Sequence, residues 1–283
     1  MNAMKPLVVL AAALLARATP AAFDGVDSPD STAWPEEPAA MLIEHDPWAM
    51  VIGADLPLVE VYADGTVLRA DAGNTRDPGY LVSQLAPREM ERLRESIGPT
   101  KELLALRDYY DSRPNVTDQP TTQLVLSAGE TSKSVSVYGY ALGTVDTPAY
   151  TVIAGGEKGD EVPREFDRVA RLLAALAPRH ELPWKPRYIE VMLWPYDHSP
   201  DLPMSWPADW PSVGSPLTFA RGNSYSVVLP GSELARLRDY VERRGERQAV
   251  LWNGGKWSIG YRLVMPGSAL AAQIATAAPK GGG

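Results

Sequence analysis

Val59-Glu60-Val61-Tyr62-Ala63-Asp64-Gly65-Thr66-Val67-Leu68 is the stretch on which the fold turns. β-forming residues stand on both sides of Asp64-Gly65, and glycine accepts the positive φ that a tight turn requires, so the stretch predicts a hairpin. Downstream, Pro87 suits a first helical turn, and Met90, Leu93 and Ile97 recur at helical spacing until Gly98-Pro99 stops the pattern. A shorter helix is expected over 101–109. Residues 124–126 and 135–137 flank a polar turn and read as a second hairpin. The best amphipathic helix starts at Pro163. Phe166, Val169, Ala170, Leu173, Leu176 and Ala177 form its stripe, and Pro178 ends it.

Beyond 178 the composition changes. Nine prolines between 178 and 216 alternate with Trp184, Trp194, Trp206 and Trp210, and only 188–193 has the look of a strand. Residues 225–229 then read as a strand and 232–244 as a helix carrying Leu234, Leu237 and Val241. A last hairpin, 248–252 with 256–264, turns at Asn253-Gly254-Gly255. The sum predicts an α+β protein: antiparallel sheets with three or four packed helices, in an N-terminal module 41–177 and a C-terminal module 178–268. The modules share an order of strand, helix and hairpin. Glu89, Met90, Arg92 and Leu93 recur 144 residues later as Glu233, Leu234, Arg236 and Leu237, which raises an internal duplication as one reading. Surface helices with Arg and Glu outside and Leu inside also look alike without common origin.

The N-terminus carries an export pattern. Lys5 precedes the apolar run 7–15, and Ala16-Arg17-Ala18 supplies the small-x-small site for cleavage after Ala18. Nine apolar residues reach roughly 14 Å as a helix, well short of the ~30 Å of hydrocarbon that a span requires. Residues 19–40 read as a flexible leader and 269–283 as a disordered tail. No later run is long enough for a membrane span. The expected setting is therefore secreted or periplasmic.

The 283 residues hold 27 Lys plus Arg against 35 Asp plus Glu, a formal charge of −8. Cleavage would remove Lys5 and Arg17 and no acid, leaving −10. An acidic surface of this kind argues against nucleic acid as partner, because phosphate neutralisation needs cations. With no Cys, disulfides, thiolate metal sites and cysteine nucleophiles are excluded.

Catalytic signatures are sparse. No Gly-x-Ser-x-Gly elbow occurs, and His45, His180 and His198 are each alone in sequence, without the His-x-x-x-His spacing of a helical metal site. Gly254-Gly255-Lys256 lacks the first glycine and the Ser/Thr of a phosphate loop. Neither metal nor cofactor is expected. Asp108, Asp111 and Asp118 offer a carboxylate set for glycoside hydrolysis, or caps for nearby Thr and backbone donors. The four tryptophans of the Pro/Trp segment, with Asp197 and His198 beside them, are the candidate binding residues. Exposed, they would stack on a glycan or grip a peptide or protein of the cell envelope; buried, they would pack a loop onto a sheet. The leading expectation is a non-enzymatic binding protein of the envelope or exterior. A hydrolase of an envelope polymer and a structural envelope component are the alternatives.

Overall fold

Alternating side chains, more than helical stripes, organise this chain into two mixed sheets. The computed structural model describes residues 37–47, 55–71, 79–98, 100–128, 131–140, 142 and 159–277. The proposed signal peptide and nearly all of the leader lie outside the described residues. Strand β1 (Pro38–His45) begins inside the stretch read as leader. With β2 (Pro57–Tyr62), β3 (Thr66–Ala70) and β4 (Tyr80–Gln84) it forms an antiparallel meander. β6 (Thr121–Ala128) pairs with β1 and turns back into β7 (Thr131–Tyr138). β5 (Tyr109–Asp111) lies parallel to β7, and β8 (Leu182–Pro183) edges β4, giving the order β5-β7-β6-β1-β2-β3-β4-β8.

The expected turn forms: Val61 faces Val67 across it, and Gly65 sits at φ +91°. From this register one face of the sheet carries Leu42, Val59, Val61, Leu124 and Val135. Three short helices cover it: α1 (Pro87–Ile97), α2 (Lys101–Leu104) and α3 (Arg164–Ala174). Phe166 and Leu173 of α3 are fully buried there, and Phe166 meets Tyr140 edge-on at 5.3 Å.

In the second sheet β9 (Tyr188–Pro195) is central, between β12 (Ser224–Pro230) and β14 (Gly255–Leu263). β11 (Thr218–Arg221) borders β12; β13 (Val250–Trp252) borders β14, and β10 (Met204–Ser205) runs parallel outside β13. Asn253 and Gly254 both have positive φ, the conformation a two-residue hairpin turn demands. One face is covered by α4 (Leu234–Arg243) and the Pro/Trp segment. The other receives α5 (Ala269–Ala277).

These findings correct the α+β expectation. The described chain is mostly β, with eight- and six-stranded mixed sheets and helices of at most 11 residues. Prolines and glycines confine the helices: Pro87 and Gly98 bracket α1, and Pro163 and Pro178 bracket α3. The helix expected over 101–109 stops at Leu104, because Tyr109–Asp111 leaves to form β5. The tail is corrected as well: α5 occupies much of it. A nine-residue helix is marginal alone in water. Leu270 and Ile274 anchor it by burial, worth roughly 1.5–3 kcal/mol each.

Duplication fails on strand order. The strand before α1, β4, has its sequence predecessor β3 on its inner side, whereas the strand before α4, β12, has its predecessor β11 on the outer edge. The hairpin after α1 joins its sheet through its first strand, β6, and the one after α4 through its second, β14. Similar helices therefore arise here from a shared amphipathic pattern. No described helix is long and apolar enough to cross a membrane.

The sheets meet through one core. Tyr62, Leu68, Tyr80 and Val82 of the first pack with Trp184, Leu263 and Met265. Glu60, 3% exposed, is also buried on that side of β2. Tyr62 Oη donates to Glu60 Oε2 at 2.6 Å and reaches the Pro266 carbonyl oxygen at 3.2 Å. Burial pushes the Glu60 carboxyl from 4.5 up to about 7, against the opposing effect of the Tyr62 hydrogen bond. At low pH the carboxyl is protonated in both folded and unfolded chains. As pH rises from 4.5 towards 7 the unfolded chain ionises first, so stability falls by about 3 kcal/mol. Glu60→Gln removes this dependence. In urea denaturation its stability relative to wild type should rise by about 3 kcal/mol between pH 4 and pH 8. A difference that stays flat with pH would show that Glu60 is not held neutral by the fold.

Candidate functional site

The four tryptophans of the Pro/Trp segment do not form one surface. Trp184 is buried between the sheets, edge-on to Tyr80 at 5.9 Å. Trp194 is half-buried at the end of β9 and lies over Gly260, where an added Cβ would come within 3.3 Å of its ring. Trp206 and Trp210 belong to a chain of edge-to-face rings with Tyr225, Tyr240, Trp252 and Trp257, at centroid separations of 5.0–6.3 Å. The indole N–H groups of this chain are spent inside the fold. Trp206 and Trp252 donate to the Pro211 carbonyl, Trp257 to the Trp252 carbonyl, and Trp210 to Glu233 Oε2. None of the four candidates is exposed, and the cluster is built as core.

Asp197 and His198 stand exposed in the turn after β9, apart from these rings. Asp209, a nearby acid in sequence, is held by Arg236 in two contacts of 2.5 and 2.7 Å; the guanidinium pulls its carboxyl down to about 2. Among the described residues no group of three His, Asp or Glu side chains could hold a metal ion.

The acids at 108–118 are also committed. Asp108 pairs with Lys133 at 2.6 Å, Asp111 Oδ1 accepts the Arg113 N–H, and Asp118 accepts the Thr117 hydroxyl. Asp160, which the sequence did not single out, accepts the Asp111 N–H and pairs with Arg107 at 2.7 Å. These bonds fasten a loop to β5. His45 lies between Asp55 Oδ2 and Gln123 Oε1, each at 3.0 Å, so the amide occupies the side where a nucleophile would stand.

A groove between α1 and residues 176–180 presents side chains that remain available. Two adjoining cavities, about 650 and 310 Å³, share Leu85, Glu89 and Arg179. Its geometry follows from local bonds. Arg94 Nη2 donates to the Ala63 carbonyl at 2.6 Å, and Gln84 Nε2 to the Asp64 carbonyl at 2.6 Å, which ties the β2–β3 turn to α1 and β4. Glu89 Oε2 accepts the Ala86 N–H at 2.9 Å and fixes the start of α1. Across the groove the chain leaves α3, turns at His180 with φ +60°, and is pinned where Glu181 grips Arg69 at 2.8 and 2.7 Å. Leu85, Met90 and Leu93 supply an apolar floor. Arg92 and Arg179 are exposed on it and make no hydrogen bond or ion pair with described residues. Arg92 was visible in the sequence only as a helix surface residue, because its opposite wall comes from residues more than 80 positions away.

The placement of Trp210 makes a direct prediction. It is 5% exposed, touches Trp206 and Tyr240, and donates to Glu233. Trp210→Ala should cost about 3–5 kcal/mol in urea denaturation. A loss below about 0.5 kcal/mol, as for a surface position, would return this tryptophan to the binding candidates.

Residues 58–151, from β2 through β7, match a domain of unknown function, DUF6438. No curated protein and no solved structure matches the chain. The matched stretch supplies α1 and the floor of the groove, while the facing wall, 176–180, lies outside it.

Proposed function

We propose that this chain is an exported, non-catalytic binding protein of the cell envelope or exterior, and that it recognises its partner through the groove between α1 and 176–180. The observation that carries this reading is the pairing of an apolar floor with the uncommitted guanidinium groups of Arg92 and Arg179. Elsewhere the side chains proposed for chemistry serve the fold or stand apart. A polymer hydrolase would need two convergent, free carboxylates, and Asp108, Asp111 and Asp118 are each bonded to a neighbour. Export rests on the pattern of Lys5, the apolar run 7–15 and Ala16-Arg17-Ala18.

The test is a pull-down from an envelope fraction of the native host, using wild type and Arg92→Glu/Arg179→Glu. A partner recovered by wild type should fall about tenfold or more with the arginine variant, whose exposed substitutions leave stability within about 0.5 kcal/mol. The same partner retained in full by the arginine variant would take recognition away from the groove. N-terminal sequencing of protein from the host should begin at Thr19; an intact Met1 in a cytoplasmic fraction would end the export reading.

A further inference from the structure

We infer that the groove takes an extended peptide segment in which acidic side chains alternate with aliphatic ones. This rests on the groove being the recognition site. Charge carries the first half of the argument. The whole chain is acidic, at −8, yet Arg92 and Arg179 reach the groove without ion-pair partners among the described residues. The two carboxylates that line it are engaged with backbone: Asp64 Oδ1 accepts the Thr66 N–H and Glu89 Oε2 the Ala86 N–H, each at 2.9 Å. A guanidinium presents a flat fork of donors suited to carboxylate.

Shape carries the second half. The groove follows α1, whose 11 residues extend about 16 Å, the length of roughly five residues of extended peptide. Successive side chains of such a peptide point to opposite sides, so alternate residues can enter the floor made by Leu85, Met90 and Leu93 while the others meet the arginines. Among the described residues no Phe, Tyr or Trp lines either cavity, so a sugar ring would find no broad stacking face.

The experiment is fluorescence anisotropy on the full mature chain with a fluorescein-labelled octapeptide alternating glutamate and leucine. A lysine/leucine octapeptide and a glutamate octamer serve as comparisons. The glutamate/leucine peptide should bind. Binding should weaken about tenfold or more between 50 and 500 mM salt, as expected of exposed charges. Arg92→Ala/Arg179→Ala should weaken it to a similar degree, and the other two peptides should bind at least about tenfold more weakly. Equal binding by the double variant would overturn the inference, as would equal binding of the glutamate octamer, the mark of a general polyanion surface.

Residues 19–37 of the chain itself hold five acids and no Lys or Arg, so they are the natural competitor. Tighter peptide binding by Asp24→Asn/Asp27→Asn/Asp30→Asn in the full chain would make that segment the occupant and overturn the external peptide. If the pull-down depends on the arginines while no peptide binds, the ligand chemistry is wrong and the groove stands. If the pull-down is also insensitive to them, both readings fall.

Discussion

The rest of the structure depends on covering the far side of the first sheet. With Leu42, Val59 and Val61 facing the helices, the strand period places Tyr62, Leu68, Tyr80 and Val82 opposite, where water would meet a broad apolar surface. Trp184, Leu263 and Met265 close it. This contact makes one body from sheets of eight and six strands, and it also sets the path of the connecting chain. Residues 176–184 must travel from α3 to the shared core, and they pass along α1 as they do so. The groove is a by-product of that route.

Burial at this junction has an electrostatic cost. Glu60 faces the same side as Tyr62, and little there can replace its lost water apart from the tyrosine hydroxyl. Glu190 is equally buried in the second sheet but meets Arg262 at 2.5 Å and the Ser226 hydroxyl at 2.5 Å. Among the described residues the fold thus treats its two buried glutamates differently. One is given a guanidinium, and the other is kept close to its neutral form.

Local features of the fold were legible because they are written in adjacent residues. Asp64-Gly65 and Asn253-Gly254 specify turns by their own backbone freedom, and Pro87 and Pro163 mark helix starts. The balance of strand over helix was hidden. Short strands such as Tyr109–Asp111 and Met204–Ser205 have too few residues to show a period, and each lies parallel to a partner distant in sequence. The candidate site was less legible still. Trp206 and Trp210 stood open between exposure and burial because prolines surround them in sequence, and Tyr225, Tyr240, Trp252 and Trp257 arrive from elsewhere to enclose them. Arg92 and Arg179 became neighbours only through the course of the chain after α3. A sequence states which groups exist and seldom which ones are left over.

The outermost strands share a property with consequences beyond folding. β5 and β8 hold three and two residues, β10 and β11 two and four, and β8 ends in Pro183. Such stubs give a second copy little backbone to extend, so the large sheets are shielded from runaway stacking into fibres. A β-rich polypeptide can then stay dispersed without polymerising through its rims. Contacts with other molecules are steered to its side-chain surfaces.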